Sequence, residues 1–318
     1  MSDVAVIIPT RGRSQLLRTT LHCALHQVGV EVEVIVVDDG STDDTAALLT
    51  RHDDGRLRVL RNDTPQGVSA ARNRGIAHAR SRWIAFLDDD DLWAPDKLSA
   101  QLEAAEEVER GWVYAGDVYV DRDLRVLSGA PPPAPDEVVR FLGRYNAIPA
   151  GASNVVVRAD HLERVGVFDP DLRRTEDWDL WIRLARTGLP AWVPRPLVAY
   201  NFHGHNAHPD TARIVGEPRV LARRYEIPVD MAAMHRRAAW SCLLAGRRLR
   251  AVRHYGRAIA LGDPLSGGRA IVALLSPARG TGYFAHLKHS RKRSPWIREA
   301  ERWLSRLVAP EMPRRAQG

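Results

Sequence analysis

The chain has 318 residues, 45% of them hydrophobic, with 46 lysines and arginines against 39 aspartates and glutamates for a formal net charge of +7. That supplies ample apolar material for one large globular domain, or one domain with an appendage. Its two cysteines, Cys23 and Cys242, stand far apart without metal-ligand spacing, which argues against a disulfide framework and for a reducing, cytoplasmic setting.

Elements follow one another in a regular order. "VAVIIPT" at the start reads as a buried strand and lacks the features of a signal peptide, and no run approaches the roughly 18 apolar residues that cross a bilayer. "SQLLRTTLHCALHQ" then predicts a helix with Ser14 as its cap and Leu17, Leu21 and Leu25 on one face. "EVEVIVVDDGS" is a second strand, "TDDTAALLTRH" a helix, "RLRVLRN" a short strand and "GVSAARNRGIAHARS" another helix. "RWIAFL" is a fourth strand, and after it a helix is bracketed by Pro95 in its first turn and Gly111 at its end. This alternation predicts a parallel sheet covered by helices. Beyond Gly111 the pattern loosens into a mixed arrangement: "WVYAGDVYV" and "ASNVVVR" read as strands, "PPPAP" as a loop, and "EDWDLWIRLARTG" as a helix closed by Gly188. From about residue 212 the chain is mainly helical, with a helix pair broken near Gly246.

Charge divides the chain. Residues 219–318 hold 21 lysines and arginines against 6 acids, a net +15, whereas residues 1–218 sum to −8. The acidic part suits metal-assisted chemistry and the basic part suits an anionic partner. Its sharpest feature is "FLDDDDLW", which places Asp88 to Asp91 where a buried strand ends. In open α/β sheets ligands bind beyond the carboxyl ends of strands. Four adjacent carboxylates there match a hard divalent cation, Mg²⁺ or Mn²⁺, better than a merely solvated face.

Three more stretches set polar groups at strand ends or helix starts: "VIIPTRGR", "VVDDGS" and "TEDWDLWIRLA". With "FLDDDDLWAPDKL", their order and spacing resemble the family 2 glycosyltransferases of the GT-A fold over roughly residues 4 to 205. The resemblance implies a Rossmann-like α/β domain over residues 1–211, with a mixed, mostly parallel sheet flanked by helices, followed by a basic, mainly helical region over 212–318. It implies inverting transfer of a sugar from a nucleotide-diphosphate donor to a glycan, lipid-linked or small-molecule acceptor; nucleic acid is not an expected partner. Carried onto this chain, the donor contacts are Pro9, Thr10, Arg11, Asp39, Arg72, Asp88 and Asp89. Asp38 reads equally as a structural cap, Arg72 nearly as well as a surface arginine, and Asp89 alternatively as a solvent-facing acid. Asp90 is the direct ligand of the cation, Asp91 a hydrogen-bonding or capping group, and His203, after Tyr200, a further metal or diphosphate ligand. Glu176 and Asp177 match the family's acidic pair, with Asp177 as general base, although acids are also favoured at helix N-termini by the dipole. Trp178 and Trp181 fit either an acceptor wall or, more often, core.

Competing classes fare worse. A dehalogenase-like phosphatase needs a Thr or Ser that "DDDDLW" lacks, a dinucleotide dehydrogenase needs a glycine fingerprint absent from "IIPTRGRSQ", and a glycosidase needs no nucleotide-binding strand ends. A non-catalytic nucleotide-sugar scaffold is the remaining alternative, opposed by the intact Asp90 and Asp177. In the basic tail, Trp296, Ala300, Trp303, Leu304 and Leu307 fall on one face of a helix beginning after Ser294 and Pro295. That stripe fits docking onto the catalytic domain or a second subunit best. The less favoured use is peripheral contact with the inner face of a membrane.

Overall fold

The computed structural model describes residues 2–201, 210–275 and 294–308. Strands β1 (Val4–Thr10), β2 (Val32–Asp39), β3 (Leu57–Asn62) and β4 (Trp83–Phe86) are parallel, joined by helices α1 (Ser14–Leu25), α2 (Thr45–Thr50) and α3 (Val68–His78). After them come β5 (Leu92–Trp93), α4 (Lys97–Glu107), β6 (Trp112–Val120), β7 (Val126–Ala130) and α5 (Pro135–Leu142). A 3₁₀ turn (Gly151–Asn154), β8 (Val156–Arg158), α6 (Ala159–Val165), α7 (Glu176–Ala185) and β9 (Ala191–Asn201) complete the sheet region. The sheet runs β3-β2-β1-β4-β8-β6-β9-β5, with β7 hydrogen-bonded to β6. Strand β8 is antiparallel to β4 and β6, so the parallel front half passes into the mixed half that the loosening pattern predicts.

Alternation along β1 builds two cores. Val4, Val6 and Ile8 join Leu17, Leu21 and Leu98 on one face, while Ala5 and Ile7 join Ala71, Trp178 and Trp181 on the other. Strands buried on both faces need no polar alternation, which is why "VAVIIPT" is continuously apolar. The remaining helices are α8 (Thr211–Tyr225), α9 (Met231–Leu244), α10 (Arg248–Ala260), α11 (Ser266–Leu275) and α12 (Pro295–Val308). They do not stand apart from the sheet. Leu221 of α8 and Met234 of α9 enter the second core, and Ile297, Ala300, Trp303 and Leu304 of α12 enter the first. Trp303 Nε1 donates to Pro196 O at 2.8 Å and Trp296 Nε1 to Asp117 O at 3.1 Å. A Cβ on Gly116 would lie 2.3 Å from the Trp296 ring, so only glycine leaves room for it. The apolar stripe of the tail therefore docks onto the sheet. Among the described residues no helix is long and apolar enough to cross a membrane.

Several local expectations are corrected. Ser14 is the first helical residue rather than the cap; its N–H donates to Asp43 Oδ2 at 3.1 Å, a carboxylate lent by the loop after β2. Helix α4 begins at Lys97, two residues beyond Pro95. "ASNVVVR" is not one strand: its first part lies in the 3₁₀ turn, because Ala150 and Gly151 both take positive φ, and only Val156–Arg158 is extended. Gly246 takes positive φ (71°) between α9 and α10, as the break in the helix pair requires.

Candidate active site

The parallel register brings the ends of β1, β2 and β4 to one edge, with Thr10 opposite Asp38 and Leu87 N–H donating to Ile7 O at 3.0 Å. Asp88 to Asp91 turn away from that edge and separate into different roles. Asp89 is buried, accepting from Thr10 Oγ1 at 2.7 Å and Arg13 Nη1 at 3.0 Å, so it does not face solvent. Asp91 is buried as well, accepting from Ser153 Oγ at 2.5 Å and Asn201 N–H at 3.1 Å. Burial pushes the Asp89 carboxyl up to about 6 and Asp91 well above the ordinary range, with the neighbouring acids adding to both. Asp90 pairs with Arg13 at 2.8 Å. Asp88 is the most open of the four, its side chain 35% exposed; Oδ1 accepts from Arg72 Nη2 at 2.5 Å, and Oδ2 accepts no hydrogen bond among the described residues.

"PTRGR" offers two arginines, and the second does the pairing. Arg11 is exposed, whereas Arg13 ties Asp89 to Asp90. Pro9 and Thr10 are buried at the end of β1. Asp39 accepts from Asn62 Nδ2 at 2.7 Å and from the N–H groups of Gln66 and Gly67, each at 2.8 Å. It thereby shapes the loop that leads into α3. Asp38 accepts from Ser41 N–H and pairs with Arg61, a structural cap in effect.

Arg72 is not a surface residue. It is 2% exposed, and its guanidinium bridges Asp88 and Glu176, the latter at 3.0 Å. One side chain thus joins the acid run after β4 to the acidic pair at the start of α7, 104 residues apart in the case of Glu176. Glu217 of α8 secures the approach to that pair by accepting from the N–H groups of Arg174 at 2.8 Å and Thr175 at 3.2 Å. Asp177 accepts from Asn146 Nδ2 at 2.9 Å through Oδ2 and from Trp178 N–H at 2.7 Å through Oδ1. A Cβ on Gly151 would approach Asp177 Oδ2 to 2.9 Å, so this glycine both adopts φ +52° and leaves the carboxylate open. Burial raises the pKa of Glu176 and of Asp177.

Arg72, Asp88, Glu176 and Asp177 line one cleft of about 770 Å³, to which α9 contributes Arg237, Trp240 and Leu244. Pro9, Thr10, Arg11, Asp39, Asp89 and Asp90 are not among its lining residues, and His203, with His205 and His208, lies outside the described residues. Among the described residues no group of three His, Cys, Asp or Glu side chains forms a metal-holding cluster.

This geometry is accompanied by clear sequence kinship. The sequence model described as "Glycosyl transferase family 2" matches residues 5–154. The putative teichuronic acid biosynthesis glycosyltransferase TuaG of Bacillus subtilis is 30% identical over 191 residues, covering 59% of this chain and 74% of TuaG. The chain belongs to glycosyltransferase family 2. A second relative is the UDP-Glc:alpha-D-GlcNAc-diphosphoundecaprenol beta-1,3-glucosyltransferase WfaP of Escherichia coli, 29% identical over 194 residues, 60% of this chain and 73% of WfaP. The crystal structure of S. aureus TarS 1-349 in complex with UDP superposes with a TM-score of 0.51 at 16% identity, over 96% of this chain and 88% of that one, and shows the shared GT-A fold.

Within this family 2 glycosyltransferase, Trp178 and Trp181 are core, 2% and 0% exposed, and neither lines the cleft. Arg13, Asn146, Ser153 and Glu217 escaped the sequence reading, since each acts on an acid or loop far along the chain. Asp117 of β6 also escaped it. This cleft-lining carboxylate is 5% exposed, its Oδ2 has no hydrogen-bond partner, and burial pushes it up to about 7.

Proposed function

We propose that this glycosyltransferase moves a sugar from a nucleotide-diphosphate donor to an acceptor hydroxyl by a single in-line displacement, with inversion at the anomeric carbon. The Arg72 bridge carries the reading. A guanidinium that touches both Asp88 and Glu176 holds a donor-side carboxylate and an acceptor-side acidic pair in fixed relation across one cleft. In-line displacement needs that arrangement, with one side for the leaving diphosphate and the other for the attacking hydroxyl. Asp177 is the proposed base. Its carboxylate is oriented by Asn146 and Trp178 N–H, and its raised pKa improves its match to an alcohol proton at neutral pH. Glu176, engaged by Arg72, orients rather than abstracts.

Donor recognition is assigned to the strand ends at Pro9, Thr10, Arg11 and Asp39, with Arg72, Asp88 and Asp89 toward the diphosphate. The residues present fit a divalent cation, Mn²⁺ or Mg²⁺. Among the described residues Asp88, Asp89 and Asp90 form ion pairs with Arg13 and Arg72, and Asp88, a cleft-lining residue, accepts through Oδ1 alone. Such cations are commonly held by one or two carboxylates together with substrate phosphates. Asp88 and Asp90 would hold it, with His203 as a further candidate; bound there, it would neutralise charge on the departing diphosphate. The names of the relatives, teichuronic acid biosynthesis and a diphosphoundecaprenol-linked acceptor, support a glycan or lipid-linked sugar as acceptor.

A thermal-shift panel of nucleotide sugars with Mn²⁺ tests the reading, because a bound donor raises stability by mass action. One donor should stabilise the protein and be slowly hydrolysed in a cation-dependent way, with hydrolysis lost in Asp90→Ala. Binding without any consumption of donor, or full activity of Asp90→Ala in chelator, would overturn it.

A further inference from the structure

The cleft holds two arginines that the proposed chemistry leaves unused. Arg174 sits in the loop before α7 and Arg237 on α9, and both line the cleft beside Glu176 and Asp177. Neither side chain has a hydrogen bond or ion pair among the described residues, whereas Arg72, the third arginine of the cleft, is committed to two carboxylates. Their charges are close enough to interact. Burial, and then the charge of Arg237, pulls the Arg174 pKa below the ordinary arginine value despite the nearby Glu176 and Glu217. The charge of Arg237 also bears on Asp177. Two like charges brought together in a concave site repel each other unless an anion lies between them. The positions are also held: Arg174 by the Glu217 carboxylate on its backbone N–H, Arg237 by the α9 helix.

We infer that Arg174 and Arg237 form an acceptor subsite for a phosphate or diphosphate group, placed so that the acceptor's sugar hydroxyl reaches Asp177. The inference rests on the transferase reading above and adds the charge of the acceptor to it. Guanidinium forks match phosphate oxygens in pairs. A pair of positive charges beside the acidic pair is better balanced by a phosphate dianion than by a single carboxylate. The subsite uses none of the residues proposed above for the donor's diphosphate, Arg72, Asp88 and Asp89. It also gives the basic C-terminal region a place in the reaction, since Arg237 comes from that region.

Isothermal titration of the full chain in chelator with inorganic pyrophosphate, methyl phosphate and glucuronate tests this directly. Arg174→Gln and Arg237→Gln are compared with wild type, their folding checked by thermal denaturation. Pyrophosphate should bind wild type more tightly than glucuronate, and each variant should weaken it by about tenfold or more. UDP, GDP and TDP are titrated in parallel with Mn²⁺, and whichever binds should keep its affinity in both variants. Comparison of methyl phosphate with pyrophosphate separates a monophosphate from a diphosphate acceptor. Absence of pyrophosphate binding, unchanged binding in both variants, or preference for glucuronate would overturn the inference. So would an equal loss of nucleoside diphosphate affinity, which would assign the pair to the donor. Donor hydrolysis in the same variants reports the transferase reading separately.

Discussion

Two acidic groups meet at the cleft through Arg72, the run Asp88–Asp91 after β4 and the acids Glu176, Asp177 and Asp179 at the start of α7, and they handle their charge differently. The first relies on side chains from distant elements: Arg13 holds Asp89 and Asp90, Arg72 holds Asp88, and Ser153 holds Asp91. The second begins a helix, where acids are favoured by the dipole and by exposed N–H groups. Its last member, Asp179, is 1% exposed and accepts from Arg183, Arg224 and Tyr225. Each run therefore contains acids that serve the fold and acids that open onto the cleft. Proximity in sequence does not sort them; partners do.

Replacing one member of each kind in the second run should split activity from stability. Asp177→Asn removes the proposed base, and a positioned base contributes about 10² to 10⁴ in rate. Steady-state transfer should fall by that order with donor affinity and thermal stability little changed, and greater damage from Glu176→Gln would move the base by one residue. Asp179→Ala should do the reverse. It removes the shared acceptor of Arg183, Arg224 and Tyr225, while Arg224 keeps Asp169 and Arg183 keeps its backbone carbonyls, a loss of about 1–3 kcal/mol. Urea denaturation should show that loss while turnover per folded molecule stays near wild type.

Asp117 sharpens the comparison, being a buried acid outside both runs with no ion pair among the described residues. Its pKa is pushed to about 7 from a model-peptide value of 3.8, so the folded state holds a proton that the unfolded state has released between those limits. Stability from this group is present at low pH and is lost as pH rises toward 7. The slope is about 1.4 kcal/mol per pH unit, on the order of 3 kcal/mol between pH 4.5 and 7. Denaturation of Asp117→Asn across that range should show a flatter pH dependence than wild type, whereas identical slopes would place the titration elsewhere.

Much of the donor side was legible because it is local. Strands β1 and β4 and the Val34–Val37 part of β2 are apolar runs, and the acids that follow the last two mark strand ends. Arg72 and Asp177 were legible too, through the motifs that carry the family resemblance. Their environments were not, because Arg72 gains meaning only from Glu176, 104 positions later, and Asp177 only from Asn146 and Gly151. Strands β5 and β7 were missed for a different reason: one has two residues, and the other is half-exposed and contains Ser128 and Gly129. Helix α12 shows both sides. Its stripe was plain from spacing, but that it docks onto the sheet through Trp296 and Trp303 depends on Gly116 and Pro196 far upstream.

The most direct test of the two-sided cleft is the anomeric configuration of the transferred sugar, read from the proton NMR coupling at the anomeric carbon of the isolated product. A single displacement between a donor held at Asp88 and a hydroxyl activated by Asp177 predicts inversion relative to the donor. Retention of configuration would contradict it.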